Sequence, residues 1–116
     1  MAANKQVTIK LENQEGKLVE YKAGKIMART TRDAMKMYSQ MEQVDSNGVP
    51  VLSEIEQLDL MIDLVANSIF KRVEEVTEDA ILDGIEGDKL TDVLQEVIMG
   101  AMGISEEDIK EAEEGK

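Results

Sequence analysis

The sequence predicts a mainly α protein with a small N-terminal β-hairpin, an α+β fold of four to five helices in one compact domain. Residues 7–11 alternate apolar and polar side chains, as expected for a strand that buries one face. Beyond residue 25 the apolar residues recur at helical spacing, and Ser, Thr and Gly stand where helices would begin and end. The chain of 116 residues is 42% hydrophobic, enough for one domain with a modest core. We therefore expect a single domain over residues 1–103 and a short acidic C-terminal helix or tail over residues 104–116.

The hairpin is expected over residues 6–22. Val7, Ile9 and Leu11 alternate with polar residues, and a second strand-forming segment follows at residues 18–21. Gly16 in the connecting loop tolerates the positive φ that such loops often need. Because a lone hairpin is only marginally stable in water, it must pack on helices or add to another sheet. The sequence leaves both arrangements open.

The first helix is expected over residues 26–44, where one broad apolar face lies opposite a basic face. The segment 45–48 reads Asp-Ser-Asn-Gly, which is typical of a turn, and Pro50 is the only proline. Residues 45–52 are therefore predicted to form a flexible joint. The basic face comprises Arg29, Arg32 and Lys36, and we interpret it as the solvated side of an amphipathic helix or a surface for an acidic partner or a neighbouring copy.

The second helix is expected over residues 54–73. It begins with a capping box, in which Ser53 and Glu56 can each bond a free backbone N–H group. Its main apolar stripe runs from Ile55 to Val73, but a second group of apolar residues points the other way. A helix that is apolar on two faces is either buried between layers or docked to a partner, and both interpretations stay open. The second group comprises Leu60, Met61 and Leu64.

The third and fourth helices are expected over residues 78–83 and 88–102. Thr77 is a suitable N-cap for the third helix, and Gly103 is a C-cap candidate after the fourth. In the fourth helix Met99 falls outside the apolar stripe and Met102 lies at its margin.

Composition excludes several kinds of chemistry. The chain has no Cys and no His, which excludes disulfides, thiolate catalysis, Cys/His zinc sites and a Ser-His-Asp triad. Residues 83–88 resemble a calcium loop only briefly, because Ile85 and Gly87 occupy positions where ligands are needed. The carboxylates clustered over residues 74–79 are interpreted as a solvated helix junction. We therefore predict a protein that is not an enzyme and uses no metal or cofactor.

Charge is distributed unevenly along the chain. The net charge is −12. Residues 1–44 carry eight Lys/Arg and five Asp/Glu, whereas residues 45–116 carry five and twenty. So acidic a surface disfavours nucleic acid, and no apolar run is long enough for a membrane span. We expect a soluble protein of the cytoplasm. The asymmetry permits head-to-tail attraction between copies, although a solvated acidic tail on an ordinary domain explains it equally well.

Five local strings resemble a known family, the tail assembly chaperones of long-tailed bacteriophages and their prophage relatives. Together they span most of the chain, and they are packing and capping patterns without a catalytic signature. The strings are Val7–Leu11, Tyr21–Lys25, Leu58–Val65, Thr77–Ile85 and Leu94–Gly100.

The resemblance implies a small, mostly helical protein in the cytoplasm of the bacterial host. Such chaperones bind the hydrophobic tape measure protein, keep it soluble and extended until the tail tube polymerises around it, and are absent from the finished virion. Members commonly self-associate. Many also exist as a longer form, made by ribosomal frameshifting, that recruits the major tail tube protein. The codons of Gly115-Lys116 can form a slippery site, so a frameshift there is a hypothesis.

Adaptable apolar side chains suit a chaperone that binds helical stripes with low specificity and later releases them. The eight methionines of this chain fit that requirement, as do the aliphatic residues that lie outside the main apolar stripes of the helices. We expect the partner-binding residues to be Leu60, Met61, Leu64, Ile98, Met99 and Met102.

Two other functions remain open. The first is a structural head–tail or tail-terminator component, which would form stable rings and stay in the virion. The second is an acidic inhibitor of a basic host protein, whose binding would weaken at high salt.

Overall fold

The computed structural model describes residues 7–103, and the acidic segment 104–116, predicted as a short helix or tail, lies outside them, as do residues 1–6. A two-stranded antiparallel hairpin is followed by four α-helices and one π-helical turn, which confirms the predicted α+β fold class. The elements are β1 (Thr8–Glu12), β2 (Leu18–Lys22), α1 (Ala28–Met41), α2 (Glu54–Leu64), the π-helix (Val65–Ile69), α3 (Glu78–Gly84) and α4 (Leu90–Ala101).

The hairpin buries one face, as its alternating sequence requires. Ile9 pairs with Tyr21 and Leu11 with Val19, so the apolar residues of both strands lie on the same side. The loop is closed by Asn13, whose Oδ1 accepts the backbone N–H groups of residues 15 and 17 at 2.9 and 3.0 Å.

The buried face of the hairpin packs on helices of its own chain. A Cβ placed on Gly84, the last residue of α3, would lie 3.0 Å from Leu11 Cβ, so α3 and β1 approach unusually closely. A Cβ on Gly100 of α4 would lie 3.8 Å from Val7 Cγ2. Because Val7, Ile9 and Leu11 are buried, the intramolecular arrangement satisfies the requirement that the hairpin lean on other elements.

The segment between α1 and α2 is a hydrogen-bonded turn. That residues 45–52 form a flexible joint stays a prediction. The backbone N–H of Asp45 donates to Val49 O at 2.8 Å, and that of Val51 donates to Gln43 O at 3.0 Å. Val44 and Pro50 form an isolated antiparallel bridge. α1 itself ends at Met41, three residues before its expected end, because residues 43–51 form this turn instead.

The second helix starts as predicted and ends earlier. Both hydrogen bonds of the capping box between Ser53 and Glu56 are present. After Leu64 the helix widens into the π-helix, and the N–H of Phe70 donates to Val65 O at 2.9 Å in an i to i−5 bond. The α-helix therefore ends at Leu64 and the π-helix at Ile69, so the helical segment does not reach residue 73. The wider turn places the adjacent Ile69 and Phe70 both in the core.

The last two helices complete the core. Thr77 Oγ1 accepts the N–H of Ala80 at 3.0 Å and caps α3, as its sequence indicates. α3 and α4 begin and end within two residues of the ranges expected for them. The largest fully buried side chains come from the hairpin, α2, the π-helix and its end, α3 and α4, and they are Phe70, Ile9, Ile62, Ile81, Leu94, Ile98 and Val65.

Candidate partner-binding surface

A groove of about 350 Å³ lies between α1 and the continuous α2 and π-helix. Its floor is apolar: Met37 and Leu64 are buried, and Leu60 is half-buried. Its walls are polar and carry charges of both signs. An apolar floor with polar walls suits the docking of one or two apolar side chains of a partner helix. The groove is lined by Asp33, Lys36, Met37, Gln40, Leu60, Asp63, Leu64, Asn67 and Ser68.

A small polar network holds one end of this groove together. Ser68 Oγ donates to Asp33 Oδ2 at 3.0 Å and lies 3.3 Å from Thr30 Oγ1. Thr30 Oγ1 in turn donates to the backbone oxygen of Ser68 at 3.4 Å. Thr30 is the buried polar residue of the described core, and the π-helix brings Ser68 to it. The network therefore links the π-helix to α1 at this end of the groove.

The six residues predicted from the sequence lie in three environments. Leu60 lines the groove and is half-buried. Met99 on α4 and Met102, the residue that follows α4, are half-buried and do not line the groove. The other three belong to the core, with exposed fractions of 4% for Met61, 5% for Leu64 and 0% for Ile98. The structure thus brings Leu60 and Leu64 together at the groove and leaves the α4 residues apart from it.

The sequence analysis did not single out a group of exposed apolar residues around the turn between α1 and α2. Val44, Val49 and Val51 flank the turn between α1 and α2 and are more than half exposed, and Ile55 in the first turn of α2 is 61% exposed. We call these residues together with Pro50 the tip patch. The sequence analysis assigned Val49, Pro50 and Val51 to a joint, Val44 to the end of the first helix and Ile55 to the main stripe of the second. Apolar residues at positions 44, 49, 50 and 51 are themselves a signal of an exposed apolar surface.

The acidic stretches have structural roles at helix ends. Glu78 and Asp79 occupy the first turn of α3, where carboxylates are favourable, and Glu78 Oε2 accepts a hydrogen bond from Asn67 Nδ2 at 3.3 Å. Glu86 forms an exposed ion pair with Lys89 at 3.7 Å. Within residues 7–103 no three acidic, His or Cys side chains are grouped so as to hold a metal ion.

The comparison with known protein families decides the assignment. The model of the family described as phage tail chaperone protein matches residues 4–116. The chain belongs to this phage tail chaperone family. The resemblance drawn from the five sequence strings is thereby confirmed. No curated protein and no solved structure shows significant similarity to the chain.

Membership assigns this phage tail chaperone a role in tail assembly through contacts with tail proteins, and it indicates a non-enzymatic role. In the part of the chain that the structure describes, no helix is long and apolar enough to cross a membrane.

Proposed function

We propose that this tail chaperone binds the tape measure protein of a long-tailed phage, keeps it soluble and promotes polymerisation of the tail tube around it. The observation that carries the proposal is the family match over residues 4–116, which includes every described element of the fold. A tape measure protein is expected to present long apolar helical stripes. A surface of half-exposed aliphatic and Met side chains suits such stripes because it adapts to many sequences.

We place the direct contacts at the half-buried members of the predicted set, Leu60, Met99 and Met102. Leu60 is supported by its position in the groove, where an anchoring side chain of a partner helix can pack against it. Met61, Leu64 and Ile98 support this surface from the core. A partner would reach Met61 and Ile98 only if the helices separated, whereas Leu64 forms part of the groove floor.

We also propose where the chaperone acts and which other tail protein it contacts. It acts in the cytoplasm of the bacterial host, is absent from the mature virion, and contacts the major tail tube protein through a frameshifted longer form. The net charge of −12 supports this setting because strong like charge keeps an apolar complex from aggregating.

Co-expression with the tape measure protein tests the proposal. The tape measure protein should move from the insoluble to the soluble fraction and should be retained when the tagged chaperone is captured. Mass spectrometry of purified virions from the same phage should detect the tape measure protein and not the chaperone.

The two alternatives predict different results in the same experiments. A structural head–tail component would be found in purified virions and would leave the tape measure protein insoluble. An acidic inhibitor of a basic host protein would capture a host protein from lysate at low salt and lose it at high salt.

A further inference from the structure

The outer edge of β2 has unpaired main-chain groups. Just beyond the two strands, the N–H of Ala23 donates to Val7 O at 2.9 Å, and the strands pair residue by residue from there. Because hydrogen-bonded pairs alternate along an antiparallel ladder, every second residue counted back from Ala23 bonds to β1. The residues between them point their N–H and C=O groups away from β1, and within residues 7–103 these groups have no hydrogen-bond partner. They belong to Leu18, Glu20 and Lys22.

The other edge of the hairpin is closed by a helix. A Cβ on Gly84, the last residue of α3, would lie 3.1 Å from Glu12 O and 3.2 Å from Glu12 N, so the end of α3 lies against the backbone of β1. Both α3 and α4 contact β1, whereas β2 contacts chiefly β1 itself. Proteins commonly protect an exposed strand edge with a proline, a bulge or a covering element. In the described part of the chain β2 has none of these, so its edge is open.

The side chains of β2 indicate what an added strand must carry. Val19 and Tyr21 lie on the face that packs on the helices, but they are only half-buried. Apolar side chains beside them would extend this face and cover it further. On the opposite face Glu20 and Lys22 are exposed, and neither forms an ion pair within residues 7–103. A cation beside Glu20 and an anion beside Lys22 would therefore complement this face.

We propose that the outer edge of β2 binds an extended segment of another protein as a third, antiparallel strand. Main-chain bonds to the three outward residues supply the affinity, and the alternate side chains supply the specificity. Read from its N-terminal end, the segment has an anion opposite Lys22, an apolar residue, a cation opposite Glu20 and a second apolar residue. Leu18 takes part through its backbone alone. A second copy of β2 does not complement the edge, because symmetric pairing over the whole strand opposes Glu20 to Glu20.

A synthetic peptide added to the full chain tests this proposal. The blocked peptide Thr-Asp-Val-Lys-Ile-Thr-Thr places Asp opposite Lys22 and Lys opposite Glu20. In isotope-labelled chain alone, the N–H groups of Leu18, Glu20 and Lys22 should exchange with solvent rapidly, unlike those of Val19 and Tyr21. A single short strand buries little surface, so the peptide is added up to millimolar concentration. Exchange at the three outward positions should then slow by about tenfold or more, because each N–H donates to the peptide backbone.

Exchanging the charges tests the register. The peptide Thr-Lys-Val-Asp-Ile-Thr-Thr has the same composition but opposes like charges at both positions, so it should bind at least about fivefold more weakly. The variant Glu20→Lys with Lys22→Glu should reverse this preference. A general affinity for extended peptides would not distinguish the two sequences.

A proline at each edge tests the main-chain contact. Glu20→Pro removes one outward N–H group of β2 and should abolish binding of the first peptide, since proline is tolerated at a sheet edge but cannot donate. Lys10→Pro is the matched control, because Lys10 pairs with Glu20 and its own N–H points to the opposite edge. This control should bind as wild type does. Circular dichroism checks that every variant is folded.

Unchanged exchange at millimolar concentrations of either peptide overturns the proposal. So does binding that survives Glu20→Pro. Protection of the three outward N–H groups in the chain alone also overturns it, because the chain itself or a second copy then occupies the edge. The site is separate from the α1–α2 groove and its test uses no tape measure protein, so its failure is distinguishable from failure of the proposed function.

Discussion

Because β1 of the hairpin packs closely on α3, we predict that Gly84→Ala destabilises the protein. An added Cβ would lie 3.0 Å from Leu11 Cβ, 3.1 Å from Glu12 O and 3.2 Å from Glu12 N. All three atoms are closer than ordinary van der Waals contact, and two of them are backbone atoms that cannot rotate away. Either β1 or the end of α3 must therefore shift.

The expected loss follows from two opposing effects. Overpacking of a buried contact costs about 1–3 kcal/mol. Replacing Gly by Ala in a helix recovers up to about 1 kcal/mol through helix propensity and a less flexible unfolded chain. The net loss should be about 1–2 kcal/mol, which for a chain of this size lowers Tm by about 4–8 °C.

Thermal unfolding followed by far-UV circular dichroism measures this shift. Gly87→Ala is the matched control, because a Cβ there meets nothing within 4 Å, and it should leave Tm unchanged or slightly higher. If Gly84→Ala unfolds at or above the wild-type temperature while the control behaves as expected, the close packing of β1 on α3 is refuted.

Three further variants test the core and the capping box. Phe70→Ala should cost about 3–5 kcal/mol and remove most of the cooperative thermal transition, since Phe70 is fully buried; an unchanged melting curve would contradict its place in the core. Ser53→Ala should cost about 1 kcal/mol in urea unfolding, because the N–H of Glu56 loses its acceptor, and a neutral result would argue against the cap. Hydrogen bonds from the backbone and side chain of Ser53 hold the pKa of Glu56 below its ordinary value of 4.5. A carboxyl group whose pKa is lower in the folded than in the unfolded protein stabilises the fold above its unfolded pKa. This contribution is lost as the pH falls through the folded pKa. The stability difference between wild type and Glu56→Gln should thus shrink in acid, with Glu54→Gln as control; a difference independent of pH would contradict the capping role.

Elements whose boundaries depend on neighbouring residues were predicted well from local sequence signals. The alternation of Val7, Ile9 and Leu11 predicts a buried strand face, and the structure buries all three. Ser53 and Thr77 predict helix starts, and both cap the helices that follow. Such signals succeed because each rests on contacts within a few residues of the chain.

The features that the sequence did not predict depend on contacts between distant parts of the chain. The sequence has no Gly or Pro near Phe70 that would mark the end of the second helix. The burial of Phe70 and the contact of Ser68 with α1 set that end instead. Helical spacing showed that Met61 and Leu64 share a second apolar face. It could not show that neighbouring elements cover that face. Periodicity identifies an apolar face but does not say whether the chain itself or a partner buries it.

The tip patch illustrates the same limit, because there the sequence does not show that apolar side chains are left exposed. The sequence around Gly48 predicts a turn, and the structure has one there, but turn residues do not show whether the apolar side chains on either side are covered. Only the packed structure shows that α1 and α2 leave Val49 and Val51 uncovered.

The most direct test of the proposed chaperone function is the soluble fraction of the tape measure protein during co-expression with wild type, Leu60→Gln or Leu18→Gln. Both variants replace one leucine by a neutral polar residue, one in the α1–α2 groove and one on the exposed side of β2. We predict high solubility with wild type and Leu18→Gln and a large loss with Leu60→Gln, provided that circular dichroism shows all three folded. A tape measure protein that stays insoluble with wild type would contradict the chaperone account, and equal solubility with all three would contradict the assignment of the groove.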